Sequence, residues 1–128
     1  LNKTFYKLGG VKFNLKHVWI GTGCFFDTKY PENIIIEDGV CISFKVILIT
    51  HFDPSNSIKN HPIKKYSKRI IIKKGVFIGP GSIIYPGVTL HENAFIKAGS
   101  VIQNDVNINE IYQGNPASIV NILDKRKL

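Results

Sequence analysis

At 128 residues, 44% hydrophobic and 20% charged, the chain has the size and composition of one globular domain, not of a disordered tail or a fibrous repeat. No apolar run approaches the eighteen or so residues of a membrane span. The first ten residues carry Lys3 and Lys7 but no apolar stretch of the kind a secretory leader needs. The formal charge of +8, from 17 Lys and Arg against 9 Asp and Glu, fits an anionic partner such as nucleic acid, membrane phosphate or a phosphorylated cofactor. It fits equally well a lysine-rich composition with no partner behind it.

Residues 1–17 show no repeat and are expected to lead into the first ordered unit. The chain begins with Leu1 and contains no Met, which leaves room for a native start upstream. From Val18 an apolar residue returns every sixth position: Val18, Cys24, Tyr30, Ile36, Ile42 and Leu48. After an interruption the same phase resumes with Ile72, Ile78, Ile84, Leu90, Ile96, Ile102 and Ile108. Chance would fill all thirteen slots with apolar residues roughly once in ten thousand sequences of this composition. Two positions before the anchors stand small or β-branched residues, among them Val40, Val46, Val76, Ser82, Val88, Ala94, Ser100 and Val106. Side chains alternate faces along a strand, so both sets point to one interior. Three positions after most of the anchors come Gly, Asn or Asp, which suit corners.

Each hexapeptide therefore reads as a short strand and a turn. Six residues make a side of about 20 Å, less the corner. Three such sides close a coil of eighteen, which stacks Ile72 under Leu90 and Ile108, Ile78 under Ile96, and Ile84 under Ile102. The prediction is an all-β solenoid, a parallel β-helix over 18–113. Its handedness does not follow from the spacing, since crossovers are in general right-handed.

Residues 50–69 break the repeat with prolines, asparagines and a cluster of Lys, and preserve its phase. They predict one protruding loop, and loops this long in a compact domain are usually functional. Gly114-Asn115-Pro116 ends the repeats. Residues 114–128 are expected to form a cap helix and tail, with Ile119, Val120, Ile122 and Leu123 covering the open end of the coil. Two cysteines, Cys24 and Cys41, are too few for a disulfide framework and fit a cytoplasmic protein.

The stretch from Val18 to Ile122 resembles the hexapeptide-repeat acyltransferases, which include galactoside and maltose O-acetyltransferases. The resemblance rests on Leu48-Ile-Thr-His51 and the loop after it, Val76-Phe-Ile-Gly-Pro-Gly through Pro86-Gly-Val, Ala98-Gly-Ser-Val, Asn104-Asp-Val and Gly114-Asn-Pro-Ala. It implies a left-handed β-helix and a homotrimer with active sites between subunits. It also implies acetyl-CoA as co-substrate and a sugar or sugar-containing polymer as acceptor. N-acetylation of an amino or nucleotide sugar would need the same base. A trimeric β-helix scaffold without catalysis is the rival from another class. Nucleic-acid binding is disfavoured, because aromatics are not interleaved with the lysines.

On that resemblance His51 is the general base, a role that suits an imidazole near neutral pH. Read on its own, it occupies a corner slot. Asp27 is a candidate for binding the acceptor or orienting His51, as is Asp53 two residues beyond the histidine; corner and loop polarity account for each as well. Gly79, Gly81, Ala98 and Gly99 would line the CoA cleft with backbone groups, and Phe77 would stand near the thioester. Asn104 falls where relatives often place Thr-Lys near the phosphates, so Lys125 and Arg126 are expected to supply charge there. No metal is expected: zinc hydratases of this fold need two histidines four residues apart, and the four here stand at 17, 51, 61 and 91. Neither Cys24, in an inward slot, nor Cys41 has the paired base that a nucleophile needs.

Overall fold

The computed structural model describes residues 9–12, 17–54 and 58–124. Within them the chain winds as a three-sided parallel β-helix. The first side stacks β1 (Trp19–Ile20), β4 (Cys41–Ile42), β9 (Phe77–Ile78), β12 (Phe95–Ile96), β14 (Glu110–Gly114) and β15 (Ala117–Ile122). The second stacks β2 (Phe25–Phe26), β5 (Ile47–Leu48), β10 (Ile83–Ile84) and β13 (Val101–Ile102), and the third β3 (Ile34–Ile36), β8 (Ile70–Ile72) and β11 (Thr89–Leu90). Ile72 pairs with Leu90, Ile78 with Ile96 and Ile84 with Ile102, the eighteen-residue register that the repeat predicts. Ile42, Leu48, Ile72, Ile78, Ile84, Leu90 and Ile96 are wholly buried. Burying each is worth about 1.5–3 kcal/mol before the ordering entropy is subtracted.

The slots two before the anchors also face inward, and Ser82 and Ser100, buried there, donate to the Lys97 carbonyl oxygen at 3.2 and 2.6 Å. Among the described residues no helix is long and apolar enough to cross a membrane.

The first coil departs from the expected phase. Ile20 pairs with Ile42 and Phe26 with Leu48, so Ile20 and Phe26 continue the buried ladders. Val18 and Cys24 fall in the second inward slot, and Tyr30 is no anchor. The cause is a longer corner at residues 28–33, where Pro31 opens a 3-10 turn (Pro31–Asn33). Both inward slots accept apolar residues, so the six-residue count survives the shift and conceals it.

The last coil is short by two residues. Val106 takes the bridge to Leu90, and Ile96 pairs with Tyr112, which leaves Ile108, expected above Leu90, 56% exposed. Asp105 tightens this corner by accepting the Thr89 N–H at 2.8 Å.

The expected C-terminal helix is not formed. Residues 117–122 are strand β15, antiparallel to β14. The open backbone edge of β14 takes a partner strand, and the β-branched Ile119, Val120 and Ile122 favour extended backbone. These three side chains are exposed, so they do not cover the coil end.

The excursion after Leu48 adds eighteen residues, since Leu48 pairs with Ile84 and Ile36 with Ile72. One full coil's worth of inserted chain is why the phase returns. At its base β6 (His51–Phe52) pairs antiparallel with β7 (Tyr66–Ser67).

Candidate active site

The second side of the coil sets the position of Asp27. Because β2 lies in register with β5, the Asp27 N–H donates to the Leu48 carbonyl oxygen at 2.9 Å. That places its carboxylate under residues 49–51 as they leave the coil. Asp27 is 4% exposed. Its Oδ2 accepts from the Thr50 N–H at 2.9 Å, from the Thr50 hydroxyl at 3.0 Å and from His51 Nδ1 at 2.5 Å. Its Oδ1 accepts from the Lys29 N–H at 3.0 Å. Burial pushes the carboxyl up, but the bonds from the Thr50 backbone, His51, the Lys29 backbone and the Thr50 hydroxyl outweigh it and hold Asp27 below its ordinary value.

An ionised carboxylate only accepts hydrogen bonds, so His51 Nδ1 carries the proton here. Nε2 is then the ring atom with a lone pair, as a general base requires. His51 is partly exposed and sits where the β6–β7 ribbon leaves the coil. The Tyr30 ring meets the imidazole edge-on, with centroids 5.4 Å apart at 81°.

Asp53 Oδ2 lies 3.4 Å from Lys29 Nζ, while the carboxylate on the imidazole is that of Asp27. Lys29 and Lys65 both lie against the Tyr30 ring, their ammonium nitrogens 5.8 and 5.2 Å from its centroid. Thr50, Tyr30, Lys29 and Lys65 were not singled out in the sequence. Tyr30 occupied a presumed anchor slot there, and the direct neighbour of His51 carried no distinguishing pattern.

The other candidate residues lie elsewhere. Phe77 faces outward on the first side, stacked on Phe95 at 4.7 Å and 21°, while His51 follows the second side, so one chain does not bring them together. Phe77 and Phe95 help line an open pocket of about 300 Å³ with Gly75, Asn93, Ala94, Asn109 and Leu123. The N–H groups of Gly79, Gly81 and Gly99 donate within the coil, to Ile96, Phe44 and Pro80 carbonyl oxygens at 2.8, 2.9 and 2.8 Å. Of the four cleft residues, exposed Ala98 is the one whose N–H makes no backbone bond among the described residues. Asn104 is exposed at a corner, and Lys125 and Arg126 lie outside the described residues. Among those residues no cluster of His, Cys, Asp or Glu could hold a metal ion.

The family model of the bacterial transferase hexapeptide, six repeats long, matches residues 69–104. The chain is 31% identical to a galactoside O-acetyltransferase of Escherichia coli strain K12, over 87% of this chain and 64% of that protein. It is 26% identical to the galactoside O-acetyltransferase of Lactococcus lactis, over 85% of this chain and 62% of that one. It thus spans a little under two thirds of the length of these two curated relatives. A crystal structure of a maltose O-acetyltransferase from Clostridium difficile 630 superposes with a TM-score of 0.73 at 26% identity, covering 96% of this chain and 75% of that one. With its eighteen-residue coils and its one ribbon raised at His51, the chain has the fold of the left-handed hexapeptide-repeat β-helices and resembles the galactoside and maltose O-acetyltransferases.

Proposed function

We propose that the chain is a CoA-dependent acyltransferase that acetylates a hydroxyl of a sugar or sugar-containing polymer. The observation that carries this reading is the Asp27–His51 pair: a buried carboxylate holds the Nδ1 proton and leaves Nε2 as the base. Acetyl-CoA, as a substrate, supplies the acyl thioester. Nε2 takes the proton of the acceptor hydroxyl as its oxygen attacks the acyl carbon, and the imidazolium returns that proton to the departing thiolate. Asp27 stabilises the imidazolium through the same hydrogen bond. Ala98, whose N–H has no backbone partner among the described residues, is a donor for the cofactor arm or the developing oxyanion.

The reading includes a homotrimer. His51 and the Phe77–Gly79 segment belong to different sides of one coil, so a site that uses both needs a second copy. Trp19, Phe25 and Phe44 are half-exposed aromatics on the outer faces, as an interface between copies would use. CoA thioesters and two cysteines outside any disulfide support a cytoplasmic location.

The test is acetyl-CoA turnover by free-thiol release against a panel of sugars and amino sugars, wild type beside His51→Ala. Acceptor-dependent release that falls roughly a hundredfold or more in the variant is expected. A folded protein that neither binds CoA nor releases thiol would leave the scaffold reading in its place.

A further inference from the structure

The mouth of the site is cationic in a way that acyl transfer to a neutral sugar does not need. Residues 58–69 carry Lys59, Lys64, Lys65, Lys68 and Arg69 and no carboxylate, and they return the chain to the coil directly beside His51. Two ammonium groups, those of Lys29 and Lys65, converge on the Tyr30 ring, which also meets the His51 imidazole. By those separations each lies no more than about 11 Å from the imidazole centre, within reach of a sugar ring and its substituent.

The plainest account is that these lysines balance Asp53. That covers Lys29, whose ammonium faces a carboxylate only 8% exposed, but Lys29 itself remains 41% exposed. Asp53 also acts on Lys65, but with Lys64, Lys68 and Arg69 in the same stretch the cations of the ribbon outnumber the carboxylates of Asp27 and Asp53. The Tyr30 side chain beside it raises its pKa, so Lys65 stays an ammonium.

The phosphates of CoA do not account for the pair either. The pantetheine arm separates a thioester from its pyrophosphate by a long chain of bonds. With the acyl carbon at His51, cations beside the imidazole lie at the acceptor end.

We propose that the acceptor is an anionic sugar, with a carboxylate or phosphate held between Lys29 and Lys65 while a neighbouring hydroxyl meets His51. The inference rests on the acyl-transfer reading of His51. It makes the two lysines the specificity-determining residues for charge, with Tyr30 as the platform that spaces them from the base.

The test uses three matched probes: glucose, glucuronate and glucose 6-phosphate. Direct binding to the protein is measured first, without CoA, at two salt concentrations. At least tenfold tighter binding of either anion than of glucose is expected, weakening as salt rises. Lys65→Glu should abolish that preference, and Lys65→Gln and Lys29→Gln should each reduce it several-fold. The carboxylate and phosphate arms separate the two sources of the anion.

Equal binding of all three probes would overturn the proposal, as would a preference that survives in Lys65→Glu. So would a Lys65→Glu variant whose acetyl-CoA KM rises while acceptor affinity holds, since the cations would then serve CoA. Acetyl-CoA binding and the effect of His51→Ala on thiol release, measured on the same preparations, report separately on the acyl-transfer reading. Either reading can therefore fail while the other stands.

Discussion

His51 Nδ1 lies 2.5 Å from Asp27 Oδ2, although the two residues stand 24 positions apart in the chain. One turn of the coil brings them together: β2 lies under β5, and the chain leaves the coil for the ribbon directly above Asp27. The carboxylate thus fixes the imidazole before any substrate arrives.

Asp27→Asn should lower kcat roughly a hundredfold while the KM for acetyl-CoA stays within about twofold. An amide offers the ring either an oxygen or an NH2 group, so it neither selects the tautomer reliably nor stabilises the imidazolium. A merely structural loss would instead reduce the amount of folded enzyme and leave kcat per folded molecule intact. Equal kcat in the variant would remove Asp27 from the mechanism.

The same carboxylate should appear in the acid limb of stability. Its pKa is held below 3.8 in the folded protein by its four donors, against the push of burial. A depressed folded pKa contributes stability that is full above the unfolded value and is lost as pH falls through the folded one. Urea unfolding should therefore show wild type more stable than Asp27→Asn by about 1–3 kcal/mol at pH 7. The gap should narrow below about pH 4. A gap that is constant from pH 7 to pH 3 would mean that the charge plays no part.

The ladders from Ile72 to Ile102 were legible in the sequence because every side is six residues and every corner turns alike. The first and last coils were not. A longer corner at 28–33 moved the anchors to Ile20 and Phe26, and a shortened one moved the last from Ile108 to Val106. Both slots of a hexapeptide face inward, so composition tolerates either phase. The strand β15 was read as a helix because Ile119, Val120, Ile122 and Leu123 suit an amphipathic pattern, while the open edge of β14 is visible only once the coil is built. Asp53 and Asp27 stood level as partners of His51, two and 24 residues away; which of them reaches the ring depends on the stacking of coils, and sequence distance does not report it.

Two glycines named for the CoA cleft owe their places to different causes, and substitution should separate them. A Cβ on Gly79 would lie 2.6 Å from the Ala98 nitrogen and 2.7 Å from the Ile96 carbonyl oxygen, so Gly79→Ala should cost about 1–3 kcal/mol. Gly81 has φ of +73° and open space around its Cβ position. Asn93 holds φ of +60° at a comparable corner, so Gly81→Asn should be nearly neutral. Urea midpoints with unchanged slopes would report both. Equal costs would show that the two corners are not distinguished by backbone crowding.

Tyr30 offers the sharpest separation of positioning from acceptor charge, because its ring and its hydroxyl serve different partners. The ring packs edge-on against His51, and the hydroxyl is the polar group that acts on Lys65 and raises its pKa. Tyr30→Ala removes both and lets the imidazole swing about its bond to Asp27, so kcat should fall roughly tenfold for any acceptor. Tyr30→Phe keeps the ring and should restore kcat, since the edge-to-face contact needs no hydroxyl. It should still weaken binding of an anionic acceptor several-fold, because Lys65 loses the partner that holds it at the mouth. Steady-state kinetics with acetyl-CoA saturating and the acceptor varied would resolve the two effects. A Tyr30→Phe enzyme as slow as Tyr30→Ala would assign the contribution to the hydroxyl and remove the ring packing as the device that steadies His51.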